Sequence, residues 1–289
     1  LSPYISSNSK RLKKVDIVVD SENLEEVVVI GTKSSLKSAI DKQRSSQKII
    51  SVIDSDALGD FPDTTAAEAI RRVSGISVEN DQGEGRYVSI RGLSSDLNTV
   101  AINGATVTAP EGNRSVMLDG VPTELLDNIV ISKSLTPDQD SDSIGGRIEF
   151  NTKNPSSLKK TLFKLKFDNS YNENSGNVDS PKMALTYGGK ISDVSAHVIG
   201  LTFASKEIVT YNNETGYGWD TNSSGLKEMN DDWEMRYYDL TRERYGLTYD
   251  IDFIVNDKTT LYVKAFWNEY IEDELRFKDE YGKISQTGL

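Results

Sequence analysis

The second half of the chain is built from stretches in which apolar and polar residues alternate one by one. Five such stretches cover residues 162–168, 183–188, 198–203, 245–253 and 261–267. Alternation with a period of two places the apolar side chains on one face of a β-strand and the polar ones on the other. The pattern therefore predicts five long strands, each with one apolar and one mostly polar face.

The connections between these predicted strands alternate in length. Long polar links lie at 172–180 and 207–234, and tight links lie near 191–194 and at Asn256-Asp257. An antiparallel meander that crosses a membrane has short turns on one side and long loops on the other. The rhythm favours transmembrane β-strands. A soluble β-sandwich also alternates and is the alternative.

Residues 49–155 have a different texture and predict a compact α+β domain. Thr65 to Glu68 has the pattern of a capping box at the start of a helix, and Gly75 is expected to end that helix. Asn103-Gly104 stands between two β-prone runs, which indicates a two-residue hairpin turn. Short strands are expected around both elements.

The N-terminal residues are mostly polar. Residues 1–24 contain one alternating piece around Ile17, which we interpret as the end of an upstream module. Residues 25–48 have the composition of a linker that contains one β-branched run. The predicted organisation is therefore four regions: 1–24, 25–48, 49–155 and 156–289.

Composition and charge exclude several classes of protein. The 289 residues carry a formal net charge of −12, whereas binding to nucleic acid requires a basic surface. No run approaches the roughly 18 apolar residues of a membrane-spanning helix. The absence of cysteine excludes disulfides and thiolate metal sites. Leu1-Ser2-Pro3 shows no signal-peptide pattern, so an exported protein is expected to carry that segment outside this sequence.

Several motifs, in this order, resemble those of TonB-dependent outer-membrane receptors. Glu26-Val27-Val28-Val29-Ile30 resembles the TonB box, and Phe61-Pro62-Asp63-Thr64 resembles the opening of the plug domain, as does Val73-Ser74-Gly75-Ile76. Ser89-Ile90-Arg91-Gly92-Leu93 matches the Ile-Arg-Gly signature of the plug, and Ile144-Gly145-Gly146-Arg147-Ile148 matches the element before the barrel. The resemblance implies an α+β plug domain followed by antiparallel transmembrane β-barrel strands.

Barrels of this family have 22 strands around a plugged lumen. The resemblance therefore implies an incomplete barrel here, with roughly seventeen further strands after Leu289. It also implies a periplasmic N-terminus, a barrel in contact with outer-membrane lipid, and TonB as the energising partner.

The resemblance implies roles for individual residues as well. An extended segment is expected to pair with an edge strand of TonB, and this segment comprises Glu26, Val27, Val28, Val29 and Ile30. Arg91 is expected to lock the plug inside the barrel by pairing with barrel carboxylates. Lys133 stands where many relatives carry a second arginine, and lysine keeps the charge but loses the bidentate fork.

The polar segment after the predicted hairpin is the candidate for contacts with an extracellular ligand. Glu111, Asn113 and Arg114 carry groups that hydrogen-bond sugar hydroxyls, although a solvated loop has the same composition. Asn98 to Gly104 and Leu135 to Asp140 resemble the branch of the family that is linked to oligosaccharide uptake.

The sequence offers little for catalysis or for cofactors. Asp138, Asp140 and Asp142 have the spacing of a calcium loop but lack the glycine of its sixth position, where Ser143 stands, so no metal is expected. His197, the only histidine, lies on the apolar row of a predicted strand. Gly83-Glu84-Gly85 lacks the third glycine of a dinucleotide loop. We therefore expect neither an enzyme nor a cofactor.

The sequence as a whole favours TonB-dependent active transport of a nutrient across the outer membrane, with an oligosaccharide as the preferred substrate. Ferric siderophore uptake is the alternative within the same class. A signalling receptor and a soluble β-rich surface-binding protein are the remaining hypotheses.

Overall fold

The computed structural model describes residues 15–17, 37, 39–54, 65–109, 114–137, 143–215, 219–229, 233–256 and 258–281. The helices and strands in them are, in chain order, β1 (Val15–Ile17), α1 (39–45), β2 (Ile50–Asp54), α2 (Ala66–Ile70), β3 (Ile76–Asp81), β4 (Glu84–Ile90), β5 (Asn98–Ile102), β6 (Ala105–Val107), β7 (Leu126–Ser132), β8 (Gly146–Thr152), β9 (Leu162–Asn169), β10 (Pro181–Ser192), β11 (Ser195–Thr215), β12 (Trp219–Thr221), β13 (Lys227–Met229), β14 (Trp233–Asn256) and β15 (Thr259–Tyr281). Single 3₁₀ turns occupy Ser95–Leu97, Thr123–Leu125 and Pro155–Ser157.

The first part of the chain is an α+β domain built on a five-stranded sheet of order β2-β7-β8-β5-β6. β5 and β8 run parallel, and the other neighbours are antiparallel. The core packs α2 against the sheet, and its fully buried side chains include Ile70, Ile90, Ile129 and Phe150. Burial of each such side chain contributes about 1.5–3 kcal/mol to folding. This core makes the domain a firm support for the loops around it.

The predicted helix start is confirmed, but the predicted helix end is wrong. Thr65 is the N-cap, and its side chain accepts a hydrogen bond from the amide of Glu68. The helix ends at Ile70 rather than at Gly75, because the amide of Val73 bonds to the carbonyl of Ile70 and tightens the chain into a turn. Gly75 adopts a φ of 75° and directs the chain into β3.

The hairpin predicted at Asn103-Gly104 is confirmed, since β5 and β6 pair on either side of it. Both turn residues have positive φ, 50° for Asn103 and 88° for Gly104, as this type of turn requires. The Asn103 side chain also accepts hydrogen bonds from the amide and hydroxyl of Thr152, which ties the turn to β8.

The second part of the chain is an antiparallel sheet of order β1-β9-β10-β11-β14-β15, here called the wall sheet. Its five long strands confirm the predicted alternation. Phe167 on the outer face is 52% exposed, whereas the neighbouring Lys166 on the inner face is 5% exposed. A sheet with its apolar side chains outside and its charged ones inside is the arrangement of strands that face lipid on one side and a polar lumen on the other.

Three wall strands are much longer than a bilayer requires. β11, β14 and β15 contain 21, 24 and 23 residues, and about 9–11 residues cross a membrane. The prediction of a loop over residues 207–234 is therefore wrong at both ends, because β11 and β14 pair continuously from Glu207↔Thr241 to Thr215↔Trp233. Polar residues fill this extension since it lies beyond the apolar band.

The short strand β1 pairs with the outer edge of β9, with Asp16 opposite Lys166. The assignment of residues 1–24 to the end of an upstream module stays a prediction, since this pairing concerns only Val15–Ile17. No helix of the described residues is long and apolar enough to cross a membrane.

Candidate functional site: the interface between the α+β domain and the wall sheet

The inner face of β14 faces the α+β domain with a row of residues whose charge changes from positive to negative along the strand. Side chains alternate between the faces of a strand, so every second residue belongs to this row. From the long-loop end to the tight-turn end, the row reads Arg242, Arg244, Gly246, Thr248, Asp250 and Asp252, and all six are buried. The strand thus presents positive charge, then a gap without side chain, then negative charge.

Glu84, the first residue of β4, inserts its carboxylate among three cations of the wall. One oxygen accepts from Lys206 Nζ at 2.6 Å, and the other accepts from Arg242 Nη1 at 2.9 Å and Arg244 Nη2 at 2.7 Å. Burial raises the pKa of Glu84, but the three cations outweigh burial and hold the pKa well below its usual range. The carboxylate is therefore ionised and fully paired inside the interface.

Arg86 lies two residues further along β4 and reverses the polarity. Its guanidinium contacts Asp119 of its own domain at 3.0 Å and Glu272 of β15 at 3.0 Å. Glu272 also accepts from Arg242 at 2.6 Å. Because acid and base alternate across the interface, Glu84 and Arg86 belong to one network rather than to two isolated pairs.

The β3–β4 hairpin tip completes this network. Gln82 has a φ of 46° and is followed by Gly83 with a φ of 87°, so the tip turns tightly. The amide oxygen of Gln82 accepts from Arg242 at 2.5 Å, and its amide nitrogen donates to Glu274 at 2.6 Å. Each of the three guanidinium nitrogens of Arg242 donates a hydrogen bond, as a buried charged group requires.

A second ionic contact lies on the 3₁₀ turn before β7. Glu124 accepts from Lys166 of β9 at 2.9 Å and is 2.7 Å from Lys182 of β10. Burial raises the pKa of Glu124, but Lys182 and Lys166 together lower it to about 2. The α+β domain is therefore fastened at two places by an ionised carboxylate that fits between wall cations.

Between these contacts the wall has a notch formed by two glycines, Gly200 of β11 and Gly246 of β14. A Cβ at Gly246 would lie 2.7 Å from Leu125 Cδ1 and 3.3 Å from Pro122, and one at Gly200 would lie 2.9 Å from Leu125. Such distances are shorter than van der Waals contact. The absence of a side chain at both positions lets Leu125 sit directly on the wall backbone.

The link between the two parts is held at its own contact. Ser156, on the 3₁₀ turn after β8, donates from its amide at 3.0 Å and from its hydroxyl at 2.5 Å to Asp252. The turn begins at Asn154, whose side chain accepts from the same amide at 3.0 Å. The chain is thus fixed to β14 just before it enters β9.

The residues expected to form a lock, Arg91 and Lys133, lie elsewhere. Arg91 is exposed with a φ of 56° and forms no ion pair within the described part of the chain. Lys133 Nζ donates to the carbonyl of Ser74 at 2.6 Å. Burial and the nearby charge of Arg91 lower the pKa of Lys133. The two cations lie close together, and their pairing with barrel carboxylates stays a prediction.

The other predicted residues are placed as follows. The segment Glu26–Ile30 lies outside the described residues, and so do Glu111, Asn113 and the three aspartates of the acidic loop. Arg114 is described and exposed. His197 lies on the outer face, as predicted, between the rings of Tyr187 and Tyr249 at centroid distances of 5.7 and 6.2 Å.

The ionic contacts between the two parts were not predicted from the sequence. Arg242 and Arg244 have the correct parity for the inner face, but the predicted strand begins only at Tyr245, so the two arginines fall outside it. Glu84 is separated from Arg242 by 158 residues, and no local pattern joins them. Charged residues at inner-face positions of the strand are the signal that was available.

The family model described as TonB-dependent Receptor Plug Domain matches residues 42–147. The search of curated proteins finds no match. Among solved structures, the outer-membrane transporter YddB of Escherichia coli is similar over 76% of this chain and 38% of its own, at 15% identity and a TM-score of 0.42.

Two further solved structures are similar at the same level. The ferric enterobactin receptor PfeA of Pseudomonas aeruginosa matches 80% of this chain and 46% of its own, at 12% identity and a TM-score of 0.39. The unliganded ferric citrate transporter FecA matches 86% and 52%, at 14% identity and a TM-score of 0.37. The chain therefore spans about half or less of these proteins. Residues 42–147, which make up most of the α+β domain, are thus similar to the plug domain of TonB-dependent receptors, and the chain continues from them into the antiparallel wall strands.

Proposed function

We propose that this chain is the plug and the first wall strands of a receptor that actively imports a nutrient across the outer membrane, driven by TonB. The observation that carries the proposal is the position of the plug domain, which packs against the charged inner face of a sheet whose outer face is apolar. Once further strands close the wall into a barrel, a domain in that position fills its lumen. Import then requires the plug to move.

The contacts of the plug suit a closure that opens under force. Removing one partner of a buried ion pair costs about 3–5 kcal/mol, since a charge is left buried and unpaired. Glu84 and Glu124 each hold the plug through such contacts, yet both are ionic contacts that water can replace once they separate. The plug is therefore held firmly without stimulus and can return to the same seat.

Force is proposed to enter through the segment Glu26 to Ile30. An extended segment adds a strand to an exposed sheet edge by backbone hydrogen bonds, largely independent of side-chain detail. The support for this assignment is the resemblance to the TonB box and the position of the segment ahead of the plug.

Proline at Val28 tests this assignment, because it removes a backbone donor from the pairing strand. Val28→Pro is expected to abolish energised uptake and to leave binding of the nutrient to cells unchanged. Val28→Ala is the matched control, since it keeps the backbone donor and is expected to import normally. Uptake by Val28→Pro at the rate of Val28→Ala contradicts the assignment.

The proposed substrate is an oligosaccharide, supported by the resemblance of Asn98 to Gly104 and of Leu135 to Asp140 to that branch of the family. Glu111, Asn113 and Arg114 are the proposed contacts at the extracellular side. Growth of a deletion strain on single carbon sources tests the proposal. A defect on one glycan with normal growth under iron limitation supports it, and the reverse result assigns the receptor to ferric siderophore uptake.

A further inference from the structure

The wall supplies all three cations of the pocket around Glu84. Its cationic donors, Lys206, Arg242 and Arg244, come from β11 and β14 and use both carboxylate oxygens at 2.6–2.9 Å. The side chain of Glu84 is 1% exposed. Three cations that converge on two oxygens of one carboxylate, away from water, have the composition of an anion-binding site.

The backbone of the wall fixes the positions of these cations. Lys206 and Arg242 are direct cross-strand partners, and Arg244 is the next residue on the same face. Arg242 is also held by Glu272 of the wall at 2.6 Å, and the guanidinium of Arg244 lies 5.3 Å from the ring centre of Tyr270. Arg242 also donates to Gln82 and Arg244 to the carbonyl of Asp119, both in the plug. The wall contacts do not depend on the plug, so the three cations are expected to stay near one another when Glu84 leaves.

The charge balance gives the pocket an affinity for anions. Among the described wall residues, Glu272 is the one carboxylate that is bonded to these three cations. When Glu84 is withdrawn, three cations face one wall carboxylate. Converging cations that are largely shielded from water attract and bind anions.

We propose that Lys206, Arg242 and Arg244 form an anion-binding site of the wall, that Glu84 of the plug occupies it as an internal ligand, and that a carboxylate or phosphate group of a passing solute takes its place when the plug moves. The last step rests on the proposed function, whereas the site itself does not.

The geometry of the donors defines the ligand. Two arginines present planar donor forks that match the oxygens of a carboxylate or phosphate, and the lysine adds a point charge. A neutral sugar offers no such charge. The site therefore selects solutes that carry an acidic group, whether an acidic oligosaccharide or an anionic iron chelate.

Glu84→Ala in the detergent-solubilised full-length receptor tests the site by chemical rescue. The variant removes the carboxylate and leaves room for a small anion. Its plug is expected to unfold at a lower temperature than that of the wild type, and acetate or inorganic phosphate is expected to raise the midpoint saturably, by about 4 °C or more. Equal ionic strength of chloride and equal concentrations of neutral acetamide are expected to have no such effect.

The matched control is Glu79→Ala, which removes an exposed carboxylate of the same hairpin that has no cationic partner in the described residues. Its unfolding is expected to be indifferent to acetate. If Glu84→Ala does not fold in chloride, refolding from urea in acetate replaces the melting curve, and recovery there supports the site. A response to acetate no larger than that to chloride, or recovery in neither salt, overturns it.

A double variant and uptake assays test the anion-binding site separately from the proposed function. Adding Arg242→Gln to Glu84→Ala is expected to remove the rescue, and retention of the full rescue contradicts the assignment. Uptake assays of uronate-bearing, neutral and iron-chelate solutes then identify the source of the anion. Rescue by acetate in a receptor that imports none of these solutes supports the anion-binding site and contradicts the proposed function.

Discussion

Replacing Gly246 by alanine adds one methyl group to the inner face of β14, where Leu125 of the plug lies against the wall backbone. The new Cβ would lie 2.7 Å from Leu125 Cδ1 and 2.6 Å from Thr202 Oγ1. Both distances are shorter than carbon atoms tolerate in folded proteins. Leu125 is 2% exposed, so its side chain cannot swing aside into solvent.

The cost of this substitution follows from the crowding. An extra methylene in a packed interior typically costs about 1–3 kcal/mol, because neighbours leave their preferred rotamers. For a domain of about 100 residues, each kcal/mol lowers the midpoint of unfolding by roughly 4–8 °C. Gly246→Ala is therefore expected to lower the melting temperature of the plug by at least about 4 °C.

The assay is thermal unfolding of the plug in the detergent-solubilised receptor. Gly189→Ala is the matched control, because Gly189 lies on β10 of the same wall and its Cβ would be 3.4 Å from the nearest atom, an ordinary contact distance. Adding Leu125→Ala to Gly246→Ala makes room for the methyl, so the double variant is expected to lose less than the sum of the single losses. Equal melting temperatures for Gly246→Ala and Gly189→Ala contradict the predicted clash with Leu125. A double variant whose loss equals the sum of the two single losses contradicts it as well.

Two further predictions concern the ionic contacts. The pKa of Glu124 falls from its ordinary 4.5 to about 2, so its contribution to stability is complete above the ordinary pKa and is lost as pH falls toward 2. Glu84 shifts in the same direction, so the pH dependence of plug melting is expected to be shallower in Glu124→Gln, not flat; identical curves contradict the contact. Arg86→Lys keeps the charge but loses the fork between Asp119 and Glu272, and a loss of about 1–3 kcal/mol is expected. Arg276→Lys on the exposed part of β15 is the control, and equal melting of the two variants argues against the network.

Most helices and strands of this fold can be predicted from local sequence patterns. Alternation reveals the wall strands because the bilayer selects apolar residues on one face over their central portion. It fails beyond that portion, where both faces of β11 and β14 are polar and only the pairing of Glu207 with Thr241 and onward shows the strand. The helix end at Ile70 was missed because a tight turn, not Gly75, stops the helix.

The interface could not be predicted from local sequence patterns, because its contacts join distant parts of the chain. Glu124 and Lys166 are 42 residues apart, and Glu84 and Lys206 are 122 residues apart. Such pairs depend on the position of the plug against the wall, and the patterns that predict strands contain no information about that position. Gly246 lies within a recognised strand, yet only the position of Leu125 shows why a side chain is excluded there.

On the proposed function, the plug must leave its position on the wall for import, and a reversible disulfide between plug and wall tests this most directly. A Cβ at Gly120 would lie 3.8 Å from Tyr270 Cβ, within the separation of about 3.5–4.5 Å that a disulfide spans, and this chain contains no other cysteine. The receptor with Gly120→Cys and Tyr270→Cys is expected to bind its nutrient but not import it when oxidised, and to import again after reduction, while each single variant imports in both conditions. Import at the wild-type rate by the fully cross-linked receptor contradicts the account.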